Sequence, residues 1–158
     1  HDALPFSLTL FDEALVDCLK DDFYLDVCNA ASLLWRLEMK GLDLGERWEM
    51  LRPFYHRAED QELVFIALHY VMVAVKNGDQ GIIEAALSNL QHWAQQPQEQ
   101  GRICHAVGLE TAKALVDLAQ GSAERGVDQL MELAPELQQI GGSHAQRALF
   151  TDFIHHYS

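Results

Sequence analysis

The sequence predicts an all-α protein, an array of about eight helices in hairpins forming a single domain over residues 1–158. Three observations lead there. A glycine closes a long, mostly apolar segment and a more amphipathic one follows at once in "LLWRLEMKGLDLGERW" (Gly41), "HYVMVAVKNGDQGIIEAA" (Gly78) and "ALVDLAQGSAERGVDQL" (Gly121). The steps of 37 and 43 residues between these glycines fall in the range of helical-hairpin repeats. Segments apolar nearly all round, expected to be buried on more than one side, alternate with segments that keep a wet face. No stretch sustains the apolar–polar alternation of a strand, so no sheet is expected.

Each element follows from its own pattern. Leu8–Lys20 carries apolar residues at 8, 11, 15 and 18, a helical stripe. Tyr24–Lys40 and Glu62–Lys76 are apolar nearly all round, while Leu44–Arg57 is amphipathic with Pro53 set to kink it. Gly81–Gln95 presents Ile82, Ala85, Ala86, Asn89 and Trp93 at helical spacing and is stopped by Pro97. Glu99–Gln120 is long, and its Cys104, Gly108 and Ala112 form a small-residue row that lets a neighbour approach closely. Val127–Leu137 carries Leu130, Leu133 and Leu137, and Ala145–Tyr157 closes the chain. Gly41, Gly78 and Gly121 stand where a helix ends in the left-handed conformation, and Asp43, Asp79 and Ser122 where the next helix needs an N-cap acceptor.

Acidic residues outnumber basic ones 24 to 11, for a net charge of -13. That field repels a duplex or an anionic membrane, so neither nucleic acid nor membrane is expected as a partner. The longest apolar run, Leu63–Val75, is interrupted by His69 and too short to span a bilayer, and no signal peptide is visible. Cys18, Cys28 and Cys104 are odd in number and set in apolar surroundings, which reads as reduced thiols in a cytoplasmic protein. The chain starts at His1, and its first and last helices each lack a pair partner. That predicts a piece of a longer array, with Leu8, Phe11 and Leu15 at one end and Leu149, Phe150 and Phe153 at the other left exposed to self-associate.

"YLDVCNAASLLWRLEMKGLDLGERW" (Tyr24 to Trp48) and "IGGSHAQRALF" (Ile140 to Phe150) resemble the tetratricopeptide repeat protein 38 family. The resemblance runs through nearly the whole chain, and these stretches are its most specific parts. In the middle, Gly78 and Gly121 fit the inter-helix turns, but the usual Trp–Leu–Gly–Tyr pattern is not legible. The resemblance implies a right-handed α-solenoid of tetratricopeptide-like hairpins, with further repeats before residue 1 and a helical segment after residue 158, and brings no catalytic activity with it.

Candidate chemistry is sparse, and each candidate has a plainer structural reading beside it. In "QQIGGSHAQRALF", Ser143 and Gln146 have the spacing of a capping box, and Gly141 and Gly142 free the chain to leave the preceding helix. The motif reads mainly as a hinge, with His144 and Arg147 left over as possible ligand contacts. Asp26, Asn29, Ser32 and Arg36 share one face of an otherwise apolar helix, which is either a peptide-binding row in a groove or an ordinary face with an Asp–Arg network. His69, alone among apolar neighbours, is either a satisfied buried histidine or a pH-sensitive groove residue. Trp35 and Trp48 read as core anchors.

No metal-ligand motif, phosphate loop or nucleophile elbow is present, and no cofactor is implied. His155 and His156 project about 100° apart and cannot share a metal from one face. Cys28 or Cys104 as a nucleophile needs a histidine brought near by the fold. The expected function is therefore a non-catalytic scaffold binding a protein or peptide. The alternative is an enzyme or small-molecule binder whose pocket is completed by repeats outside this chain.

Overall fold

Every residue from Val64 to Val75 is buried, so one helix of this molecule has no wet face at all. In the computed structural model this helix, α3 (Val64–Asn77), is the centre around which the rest is arranged. The structure describes residues 3–21, 24–57 and 60–158, with side chains at 8–16, 20, 27–55 and 60–158. In order come α1 (Ala3–Asp21), α2 (Tyr24–Met39), a 3-10 helix (Glu49–Arg57), α3, α4 (Gln80–Trp93), α5 (Glu99–Ile103), a π-helical turn (Cys104–Gly108), α6 (Leu109–Ala119), α7 (Ala123–Leu133), a second 3-10 helix (Ala134–Ile140) and α8 (His144–Tyr157). Among the described residues there is no strand, as the sequence predicts. No described helix is long and apolar enough to cross a membrane.

The helix ends behave as their glycines require. Gly41 and Gly78 hold φ of 89° and 67°, and at each the chain leaves the helix through paired bonds. Gly78 N–H donates to Val75 O at 3.2 Å and Asp79 N–H to Ala74 O at 3.3 Å, with Gly41 to Glu38 and Leu42 to Leu37 repeating the arrangement. The N-cap positions do not follow suit. Asp79 and Ser122 make no side-chain cap bond. Asp43 closes a local turn onto Gly45 N–H at 2.9 Å instead of starting a helix.

Four elements differ from expectation, each for a local reason. Residues 44–57 form turns and a 3-10 helix, because Pro53 has no N–H to give and its ring crowds the preceding turn. The seventh helix starts at Ala123 and passes into 3-10 geometry at Ala134, where Pro135 breaks the α ladder. In α4 the buried face is Ile83, Ala86, Leu90 and Trp93, rotated from the one read in the sequence. The long helix of residues 99–119 is interrupted by its π turn, whose Gly108 lies so close to α3 that a Cβ there would stand 2.7 Å from Val64 Cγ1. The small-residue row thus meets a neighbour as expected, and Cys104 and Ala112 are fully buried.

The two ends are where the expectation fails most clearly. Phe11, Leu15, Leu149, Phe150 and Phe153 are all buried and Leu8 is half-buried, so the apolar strips expected to be open are covered. At the N-terminal end α1 packs along α2, and at the C-terminal end α8 returns to α2. Trp35 Nε1 donates to Tyr157 Oη at 2.9 Å across 122 residues, and the Trp35 and Phe153 rings lie 4.5 Å apart. Units of an open solenoid touch only their neighbours, whereas here α8 meets α2. Trp35 and Trp48 stack edge to face at 6.4 Å, and Lys76 sits 4.3 Å over the Trp35 ring while pairing with Glu38.

Candidate functional site

The closure of α8 onto α2 assembles a small polar cleft over α3. It has a volume of about 150 Å³ and is lined by Asn29, Ser32, Arg36, His69 and Gln146 among apolar neighbours, with Cys28 beside them. Residues nominated separately in the sequence therefore meet in one place. Asp26 belongs to the same helix face, but its side chain lies outside those described.

Arg36 organises the cleft. Its Nη1 donates to Ser32 Oγ at 3.0 Å, its Nη2 to the Ala145 carbonyl at 3.0 Å, and its Nε to Asp152 Oδ2 at 3.4 Å. Among the described residues the carboxylate paired with Arg36 is Asp152 of α8, while the same-helix Asp26 of the plainer reading lies outside the described side chains. With the carboxylate half-exposed, this pair contributes about 0–1 kcal/mol on its own. Among the described residues three of the five guanidinium protons are engaged, leaving one on each terminal nitrogen.

His69 is 2% exposed, and its Nδ1 lies 2.7 Å from Phe65 O. Only the Nδ1–H tautomer makes that contact a bond, so Nε2 carries the lone pair. Nε2 has no hydrogen bond from any described residue. Burial, and the Arg36 charge nearby, outweigh the carbonyl bond and lower the His69 pKa to about 4. The fold also brings Cys28 to the same cleft, a meeting that spacing could not reveal. Burial pushes that thiol up to about 12, which leaves it protonated and not a nucleophile at neutral pH.

The residues of "QQIGGSHAQRALF" (138–150) have two fates. Ser143 and Gln146 form the capping box: Ser143 N–H donates to Gln146 Oε1 at 2.6 Å and Gln146 N–H to Ser143 Oγ at 3.1 Å. Gly141 and Gly142 hold φ of 93° and 79°, and Gly142 packs so tightly on Phe65 that a Cβ would clash at 2.7 Å. Arg147 donates to the carbonyls of Gly142 and Gly141 and so braces the hinge. His144 and Arg147 face a separate shallow groove against the 3-10 helix, with Leu137, Gln138 and Thr151, and do not join the cleft.

Sequence reasoning missed the largest recess of those described. It is an open trough of about 620 Å³ over the irregular segment, lined by Glu46, Glu49, Met50, Arg52, Pro53 and Tyr55. Met50 is 45% exposed there. Arg52 is paired with Asp79 at 3.2 Å and with Glu49 at 3.7 Å, so acidic charge remains in excess around the trough. Pro53 was the available signal, since a broken helix leaves a depression where a regular one would bulge. No protein-family model matches this chain, and no solved structure matches it.

Proposed function

We propose that this protein is a non-catalytic, tetratricopeptide-like helical scaffold that binds a segment of another protein. The supporting observation is the open trough, where exposed Met50 lies with Pro53 and Tyr55 between Glu46 and Glu49. Its open form and acidic rim suit an apolar side chain flanked by lysine or arginine. The helical hairpins are read as a solenoid whose last inner helix has closed onto the first. Self-association through the ends would have to use exposed residues such as Leu10 and Val16 rather than those first expected.

Selection from a random peptide library, followed by calorimetric titration, tests this. Selected peptides are expected to centre on an apolar residue with basic flanks, and Met50→Glu to weaken them at least tenfold. Binding indifferent to Met50→Glu, and lost at about 0.3 M salt, would mean charge attraction without a site. The alternative, an enzyme or small-molecule binder, draws on the convergence of Asn29, Ser32, Arg36 and His69. The cleft's volume of about 150 Å³ lies below the roughly 300–1,000 Å³ of ordinary ligand pockets and leaves no room for a substrate of more than a few heavy atoms, which favours the scaffold. Turnover screening of the intact protein separates the two.

A further inference from the structure

The cleft of α2, α3 and α8 is built with two opposite hydrogen-bonding senses. On one wall Arg36 keeps on each terminal nitrogen a proton that no described residue engages, with the Ser32 hydroxyl, itself 8% exposed, beside it. The positive end of the α8 dipole lies at the same wall, because Ala145 and Gln146 of its first turn line the cleft. On the other wall His69, 2% exposed, offers a lone pair at Nε2 that no described residue engages. That nitrogen is not sealed from solvent, so a donor that enters the cleft can reach it. The thiol of Cys28 is neutral, so it repels no charge. Among the described residues the competing carboxylate is Asp152, held to Arg36 by one contact of 3.4 Å and half-exposed.

We infer that this cleft binds a small oxyanion that itself carries a proton, of the bicarbonate or short hydroxy-carboxylate class. Its oxygens accept from Arg36 and Ser32, and its hydroxyl donates to His69 Nε2. A bare oxyanion leaves the histidine unsatisfied, and a neutral alcohol leaves the guanidinium unsatisfied. The Asn29 amide can turn to either sense, whereas Gln146, its Oε1 held by Ser143 N–H, is left to donate. The cleft's volume of about 150 Å³ restricts the ligand to a few heavy atoms. This inference does not rest on the scaffold proposal and uses no residue of the trough.

The test is a titration of the intact chain at pH 8, followed by nitrogen–proton correlation spectra. The salts are sodium bicarbonate, sodium glycolate, sodium nitrate and sodium chloride at matched ionic strength. Nitrate has bicarbonate's planar shape and charge but no proton to donate. Bicarbonate or glycolate should shift the Ser32, Ala145 and Gln146 amides and the His69 ring saturably, and nitrate at least tenfold more weakly. Whichever of the two saturates at lower concentration identifies the source. Ser32→Ala should weaken binding at least fivefold with the remaining spectrum unchanged, and Asn29→Leu, which fills the mouth, should abolish it. Equal affinity for nitrate, non-saturating shifts, or shifts outside these residues would overturn the inference.

Discussion

Ser143 is where a local rule and the finished structure agree. Its cap joins residues three apart, so the sequence already holds everything the bond needs. Ser143→Ala should lower the unfolding free energy by about 0.5–2 kcal/mol, and Ser143→Asp should restore most of it. Chemical denaturation of the three proteins checks this; a full loss with aspartate would instead point to a role for the hydroxyl itself. Asp79 shows why the same rule failed elsewhere. Its backbone φ and ψ of -81° and 86° are not those of a cap, and Arg52, 27 residues earlier, holds its carboxylate. That competitor is invisible to a local reading. His69 gives a second prediction at this scale. Its pKa of about 4 in the fold lies below the ordinary value of 6.5, so between them the unfolded chain binds the proton and the folded chain does not. Stability therefore rises with pH across that window and falls as acid is added, by up to on the order of 3 kcal/mol from this group. His69→Gln should flatten the pH dependence of the denaturation midpoint between pH 6.5 and 5, above the range where most carboxylates titrate. An unchanged slope in the variant would mean that other groups produce it.

Helices were legible as units because their periodicity and their glycine ends lie within a turn or two of each other. What escaped was geometry imposed by a neighbour. The π turn at Cys104–Gly108 arises beside α3, which no pattern within residues 99–120 could announce. The buried face of α4 was misread by about one position, because Ile82 and Ile83 are both apolar and only the packing chooses between them. Two glycines on adjoining helices make the point testable. At Gly101, an added Cβ would stand 2.4 Å from Gln96 O and 2.8 Å from Trp93 O, both backbone atoms that cannot yield cheaply. Gly81 in α4 has nothing within 4 Å and an ordinary φ. Gly101→Ala should therefore destabilise by about 1–3 kcal/mol, whereas Gly81→Ala should stabilise by about 0.4–1 kcal/mol. Thermal unfolding of the pair decides it, and the two changes must have opposite signs if close approach is what Gly101 provides.

At the scale of the whole molecule, the sequence disclosed an all-helical chain but not that α8 meets α2. Periodicity carries no information about a contact 122 residues long, such as that of Trp35 with Tyr157. The cleft depends on the same contact, so its residues could be nominated singly but not brought together. Closure also changes how the molecule should unfold. Stability in an open array is a sum over units and nearest-neighbour interfaces, and one end can melt while the other stands. Here α8 covers the Trp35 face of α2, while α3 holds α2, α4 and α6 around itself, so losing the closure uncovers the shared core. We expect one cooperative transition in denaturant. Tryptophan fluorescence, tracking Trp35 at the α2–α8 seam and Trp93 at the far end of α4, should coincide with the loss of helical circular dichroism. Phe153→Ala, at a fully buried ring against Trp35, should cost about 3–5 kcal/mol and move every probe together. If instead Trp35 reports an early transition while Trp93 and most of the helix signal persist, α8 is an independently docking unit. The molecule would then behave as an open solenoid whose end has merely folded back.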